Sequence, residues 1–273
     1  VNTIWERNDL ARPWLSGAYY LYMKRAIAPL YESKSDFDIA CELAPRLGIA
    51  NFSDKTEDEW LRELFKMSSD MSQNIPDYET FKREGVHKLK LPGPQISFKE
   101  QIEGLEHHPF TTPSGKIEIY SQPLAELNNP KLPPIPKYIE TWESINDPLA
   151  KKYPLQLITF HFKTRAHSCF DNIPWLKQLE AQRVWVNPLD AQARGISNRD
   201  MVRVFNDRGE VILSASVTER IMPGVVALGE GAWYRPNESG ADRGGCPNVL
   251  TRGEHSPAGA FPSNTSLVQV QKA

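Results

Sequence analysis

Between Leu157 and Asp171 the chain reads LITFHFKTRAHSCFD. A short apolar run, Leu155 to Phe160, gives way at once to a polar loop with His161, Lys163, Thr164, Arg165, His167 and Ser168. Arginine presents a fork of N–H donors and lysine a point charge, so together they suit a pyrophosphate or the edge of a polar heterocycle. The same composition also describes a solvated basic turn after a buried strand. A hydrolytic reading, with Ser168 or Cys169 as nucleophile and His167 as base, needs the pair within hydrogen-bond reach. Sequence neighbours rarely achieve this without a strained turn, and no GxSxG elbow is present.

Two further stretches carry chemistry. Gly244-Gly245-Cys246-Pro247-Asn248 lets the main chain approach a flat ligand closely, and Asn248 can donate and accept at once; an asparagine in a glycine turn is the plain alternative. Asn187-Pro188-Leu189-Asp190 sets an amide and a carboxylate at a helix start, where backbone donors are unpaired. Asp190 is equally explained as a first-turn acid stabilised by the helix dipole.

The elements that must position these residues follow from periodicity. Residues 1–90 read as mostly helical: an apolar, aromatic stretch from Ala18 to Leu30, a helix over Ser35–Leu47 with Ser35 as N-cap and Gly48 as stop, and a helix over Thr56–Met67 opened by a Thr56/Glu59 capping box. Gly85 to Gly104, broken by Pro92, Gly93 and Pro94, reads as loop; His107 and His108 diverge and lack a third ligand, so they read as exposed. Lys116–Tyr120 alternates like a half-buried strand after the turn Pro113-Ser114-Gly115. Residues 128–152 form a proline-punctuated connector expected to run extended over a surface, between a helix-rich part (1–127) and a β part (153–273). The β part offers six strands, Leu155–Phe160, Arg183–Val186, Met201–Asn206, Glu210–Thr218, Val225–Leu228 and Leu267–Val270, with a short helix from Pro188 to Arg194. Strands at this spacing predict a closed barrel.

Composition narrows the classes. At 273 residues with 40% hydrophobic and 24% charged residues the chain has an ordinary globular make-up, and a formal net charge of −2 argues against general nucleic-acid binding. No apolar run approaches the roughly 18 residues that span a bilayer. Cys41, Cys169 and Cys246 stand far apart and support neither a disulfide framework nor a metal cluster. Val1 is not an initiator, so the sequence reads as a segment of a longer polypeptide.

The order of signals from Thr159 onward, HFKTRAHS, then VWVNPLDAQARGISNRDMVRVFNDRGEV, then IMPGVVALGEGAW, then GGCPNVLTRGEHSPAGAFPSNTSLVQV, resembles the carboxy-terminal dinucleotide-binding domain of molybdopterin oxidoreductases of the dimethyl sulfoxide reductase family, nearest to the dimethyl sulfoxide and selenate reductase type. Upstream, TPSGKIEIYS and FDIACELAPRLG are similar to the segment that precedes that domain. The resemblance implies mixed α and β structure, with a six-stranded double-psi β-barrel packed over Mo-bis(molybdopterin guanine dinucleotide). It implies that His161, Thr164, Arg165, His167 and Ser168, with Phe162 and Lys163 between them, hold phosphate and pterin atoms. It implies cofactor contacts at Asn248, Asn264 and Thr265 too; a loop before a strand is also where Asn and Thr simply make turns. A [4Fe-4S] cluster is expected only in a missing amino-terminal part, which would also supply the molybdenum ligand. The partners implied are the remainder of the catalytic subunit, an iron–sulfur electron-transfer subunit and a membrane anchor, on the periplasmic side of a bacterial inner membrane. A non-catalytic interaction module with a helical docking face is the competing reading.

Overall fold

The first aromatic stretch obeys a period of two. In the computed structural model, which describes residues 1–12, 17–90, 93–94 and 96–273, Tyr20 and Tyr22 are buried while their neighbours are not. The helix expected within Ala18–Leu30 is therefore a strand: β-branched and aromatic residues suit a pleated, half-buried surface better than a helix. Strands β1 (Asp9–Ala11), β2 (Tyr19–Met23) and β3 (Val86–Lys88) form an antiparallel sheet with β2 in the centre. After α1 (Asp36–Arg46), the helices α2 (Glu57–Met67), α3 (Ser69–Asn74) and α4 (Tyr78–Glu84) share a core with Tyr20 and Tyr22 of β2. Ser35 caps α1 as expected, Thr56 and Glu59 close the capping box of α2, and Gly48 adopts φ 74° after α1. Tyr22, Phe65, Tyr78 and Phe81 meet edge-on or tilted at about 6 Å, the spacing at which aromatic quadrupoles attract. The stretch expected to be loop holds β3 and α5 (Lys99–Gly104); Pro92 lies outside the described residues.

The chain divides into two compact units, Val1–His108 and Pro109–Ala273, each with its own core. In the second unit Lys116–Tyr120 is not a strand: among the described residues no strand pairs with it, and Ile117 and Ile119 are 75% and 73% exposed. Past α6 (Gln122–Glu126), the proline-rich stretch contains a 3₁₀ turn, Pro148–Lys151, and the buried Glu143. Six strands then close a barrel in the order β4 (Leu155–Phe160), β8 (Val225–Gly229), β5 (Val184–Val186), β7 (Glu210–Val217), β6 (Met201–Phe205), β9 (Ser266–Lys272). All six were legible in the sequence; β4, β5, β6 and β7 alternate, with Leu155, Leu157, Val184, Val186, Val202 and Val204 buried while the residues between them face outward, whereas β8 and β9 are buried at nearly consecutive positions. Two helices sit between β4 and β6, α7 (Pro174–Leu179), which periodicity did not reveal, and α8 (Pro188–Gln192), which it did.

Strand directions define two ends. The pairs β4/β8 and β5/β7 are parallel and the other four are antiparallel. The carboxy ends of β4, β6 and β8 and the amino ends of β5, β7 and β9 therefore share one rim, hereafter the upper rim. The lower rim carries Asn187, α8 and Gly224.

An ion pair between the buried Glu143 and the partly exposed Arg208 ties residues 128–152 to this barrel. The Arg208 guanidinium in the β6–β7 hairpin grips Glu143 bidentately, Nη1–Oε1 2.6 Å and Nη2–Oε2 2.8 Å, and Glu143 Oε2 also accepts the Leu267 N–H at 2.8 Å. Arg208 additionally donates to the Leu250 carbonyl. Removing one partner strands the other in low dielectric, so Arg208→Met is expected to cost about 3 kcal/mol in denaturant unfolding, whereas Glu143→Gln with Arg208→Met recovers part of that; equal losses for the two would contradict the pairing. In the first unit, buried Glu6 accepts the Leu30 and Thr3 N–H groups and the Ser33 hydroxyl, which lowers its pKa from 4.5 to about 2. A depressed carboxylate stabilises above its unfolded pKa and loses that stabilisation as pH falls through the folded one. Glu6→Gln is thus expected to lower the melting temperature at pH 7 and to converge with wild type near pH 2; a difference independent of pH would contradict this.

Candidate cofactor-binding rim

Two loops rise from the upper rim: residues 161–183, which follow β4, and residues 230–265, which follow β8. The first turns sharply. Its backbone adopts positive φ at His167 (50°) and Phe170 (76°), and Ala166 and Cys169 form an isolated bridge. Beneath it lies Arg165, whose side chain is 5% exposed. Its guanidinium donates to Asp171 Oδ1 (3.1 Å), to Gln182 Oε1 (2.8 Å) and to the Glu230 carbonyl (2.9 Å), and stacks 3.9 Å from the centre of the buried Phe162 ring. Burial works against the Arg165 charge and Asp171 opposes that effect. These donors are spent inside the protein, so Arg165 positions the loop.

Gln182 joins the two loops. Its amide donates to the carbonyls of Gly229 (2.7 Å) and Gly245 (3.1 Å) while its oxygen accepts from Arg165. The glycine loop is itself held by Asp242, fully buried, whose carboxylate accepts N–H groups from Arg235 (2.7 Å), Gly244 (2.9 Å), Gly245 (2.8 Å) and Cys246 (2.6 Å). Close approach explains two glycines. A Cβ on Gly231 would stand 1.7 Å from the His167 carbonyl oxygen, and one on Gly244 would stand 1.8 Å from that of Trp233. Between the loops is a cavity of about 220 Å³ lined by Thr164, Asp171, Lys177, Arg235, Arg243 and Gly244 among others. Burial pushes the Cys246 thiol up.

The groups left facing solvent are the ones with chemistry to offer. His161 and His167 side chains are 82% and 78% exposed, and their Nδ1 atoms lie 2.9 and 3.1 Å from Glu230 Oε1. An imidazole held at Nδ1 turns Nε2 outward. The three ligand atoms lie within 4.8 Å of one another, a spacing that could also hold a metal ion, and no sequence pattern announces a trio separated by more than sixty positions. Lys163, Ser168 and Asn248 are exposed and Thr164 is half-buried. Asn264 reaches back to β4, accepting from the Thr159 hydroxyl at 3.0 Å, and Thr265 donates to the Pro262 carbonyl.

Asn187 and Asp190 are not brought to this rim. Asn187 caps α8, accepting the Leu189 N–H at 2.9 Å and donating to the Ile221 carbonyl at 2.7 Å; Asp190 accepts the Gly224 N–H at 2.7 Å and faces Arg194. Both stand at the lower rim with internal partners. Asp171, Gln182, Glu230 and Asp242 escaped the sequence reading. Only Glu230, between Gly229 and Gly231, and Asp242, two residues before Gly244-Gly245, carried a local signal.

A closed six-stranded barrel with a donor-rich rim and glycine-tight loops defines a domain class, and comparison supplies it: the model of the molydopterin dinucleotide binding domain matches residues 155–266. The chain is 47% identical over 266 residues to dimethyl sulfoxide reductase DmsA of Escherichia coli (strain K12), covering 93% of the chain and 33% of that protein. It is 42% identical to DmsA of Haemophilus influenzae over 93% of the chain and 33% of the relative, and 35% identical to trimethylamine-N-oxide reductase 1 of E. coli over 100% and 34%. The chain belongs to the dimethyl sulfoxide reductase family of molybdopterin oxidoreductases, corresponding to their carboxy-terminal part. It spans about a third of the length of these relatives. Acetylene hydratase from Pelobacter acetylenicus shares the fold, with a TM-score of 0.72 at 21% identity over 100% of this chain and 37% of that one.

Gly231→Ala is expected to push the 161–171 loop off its seat while leaving the barrel core intact. Limited proteolysis within that loop should accelerate about tenfold or more at an unchanged barrel melting temperature. Unchanged cleavage would contradict the close approach at Gly231.

Proposed function

We propose that the upper rim grips Mo-bis(molybdopterin guanine dinucleotide) and that the complete polypeptide reduces an S-oxide, N-oxide or oxyanion, such as dimethyl sulfoxide or selenate, in anaerobic respiration. The single observation that carries this reading is the convergence of two loops on one rim, joined through Gln182, with their unspent donors outward. The donor chemistry fits the group. Lys163 offers a point charge to phosphate, Thr164 and Ser168 offer hydroxyls, and His161, His167 and Asn248 offer ring nitrogens and an amide to a pterin edge. Phe162 and Arg165 support the loop from beneath, and Asn264 with Thr265 shape the return into β9. When bound, the cofactor supplies the two-electron oxygen-atom chemistry; the protein supplies binding, orientation and electrostatics.

Partners follow from the same reading: the remainder of the catalytic subunit with a [4Fe-4S] cluster, an iron–sulfur electron-transfer subunit and a membrane anchor, on the periplasmic side of the inner membrane. The formal net charge of −2 offers nucleic acid no general attraction. An interaction module has no use for two donor-bearing loops on one rim, and nothing in the helical unit favours it over this reading.

The test is cofactor content of the complete polypeptide. Lys163→Glu with Asn248→Ala should lower molybdenum and releasable guanine nucleotide about tenfold or more, each lost charged contact being worth about 1.5–3 kcal/mol. Asn187→Ala, at the other rim, should retain cofactor in whatever fraction folds. Full retention by the first variant would overturn the assignment.

A further inference from the structure

The backbone brings three ligating side chains together from three places on the upper rim. In the parallel register of β4 and β8, Phe160 faces Gly229, so His161 and Glu230 are the next residues off the two strand ends. The Glu230 main chain is fixed on both sides. Its N–H donates to the Phe160 carbonyl at 2.9 Å, and its own carbonyl accepts from Arg165 at 2.9 Å. His167 returns to the same spot through the turn at φ 50°, which the Trp233 indole N–H seats by donating to the Ser168 carbonyl at 2.8 Å. His161 Nδ1 and His167 Nδ1 then stand 2.9 and 3.1 Å from one oxygen, Glu230 Oε1, with the two rings edge-on at 5.4 Å.

Ordinary hydrogen bonds do not account for this cluster. Glu230 Oε1 is buried from water and has no hydrogen-bond partner, because neither imidazole presents Nδ1 to it in a hydrogen-bonding direction despite the short distances. A buried carboxylate oxygen without a donor is costly, and a cation shared with the two ring nitrogens removes that cost. Imidazole nitrogen and carboxylate oxygen are the ligands that a zinc-class ion takes, at about 2.0–2.2 Å. Bonds of that length in a tetrahedral arrangement set ligand atoms roughly 3.3 Å apart. The three atoms here lie within 4.8 Å of one another, and small rotations of two exposed rings close the difference. The exposure of both rings also leaves a fourth position open to water. We propose that His161, His167 and Glu230 bind a divalent transition-metal ion of the zinc class in the cofactor-free protein. The ion clamps the loop after β4 to the residue that follows β8. On the rim reading above, the same imidazoles cannot serve an ion and a pterin together, so ion and cofactor exclude one another.

Calorimetric titration of the cofactor-free complete polypeptide with Zn²⁺, alongside visible absorption with Co²⁺, tests this. Ions held elsewhere in the polypeptide are removed by comparing wild type with variants. His161→Ala with Glu230→Gln should weaken binding of a single ion about tenfold or more and abolish its Co²⁺ bands, since each ligand carries a large share of the affinity. His255→Ala, at an exposed histidine outside the trio, should bind as wild type does. The melting temperature reports whether each variant folds, and His161→Ala alone, at an exposed position, decides the matter if the double variant does not. Affinity and Co²⁺ spectrum unchanged in the trio variants, or no ion bound by wild type, overturns the proposal. Titration of the cofactor-loaded protein separates the two readings. Ion binding there as tight as in the cofactor-free form keeps the ion site and removes both histidines from the cofactor contacts. Cofactor content of Lys163→Glu reports on the rim independently, so either reading can fail without the other.

Discussion

A buried guanidinium sets the geometry of the upper rim. Arg165 spends its N–H groups on Asp171, Gln182 and the Glu230 carbonyl, and its flat face on Phe162. That one side chain links the loop after β4, the entry to β5 and the exit from β8, which are far apart in sequence. Desolvating the cation is costly, and only a full set of partners makes its burial tolerable. Asp171 does the complementary work, facing Lys177 and Arg235 at 3.6 Å and accepting the Trp233 N–H. The consequence is a loop whose interior is fixed and whose outer edge is left to bind.

The two ends of the barrel differ in how they use polar groups. At the lower rim Asn187 and Asp190 are consumed in capping α8 and holding Gly224, so polarity there stabilises the fold. At the upper rim Asp242 and Gln182 are consumed inside, and this frees His161, Lys163, His167 and Asn248 to face outward. Buried polar networks beneath an exposed donor set are what preorganised recognition requires: the supports are satisfied internally and the contacts are not. The Glu143–Arg208 pair extends this outward, fastening a proline-rich stretch beside the β6–β7 hairpin through the Leu250 and Leu267 backbone.

Much of this was legible in the sequence. Strands β4 to β7 alternate because each has one face in the core, β8 and β9 read as apolar runs, and the short helix at Pro188 announces itself by proline at its first turn. Tyr19–Met23 misled because an aromatic run of five residues satisfies either period; pairing with β1 and β3 decided it. Lys116–Tyr120 misled in the opposite way, since alternation makes a strand only where a partner strand exists to pair with it. At the site, residue type identified the loops but not the division of labour within them. Arg165 and Lys163 look alike as donors two positions apart, yet one is buried and the other exposed, a difference created by partners at Asp171, Gln182 and Glu230. Asn187 resembled a ligand contact because a helix cap and a ligand contact use the same side-chain chemistry.

Hydrogen–deuterium exchange on the complete polypeptide, with and without cofactor, tests most directly whether the upper rim is the gripping surface. Slower exchange on cofactor binding is expected in residues 161–168 and 244–248, with residues 188–195 unchanged. Protection confined to 188–195, or unchanged exchange in both upper loops, would contradict the assignment.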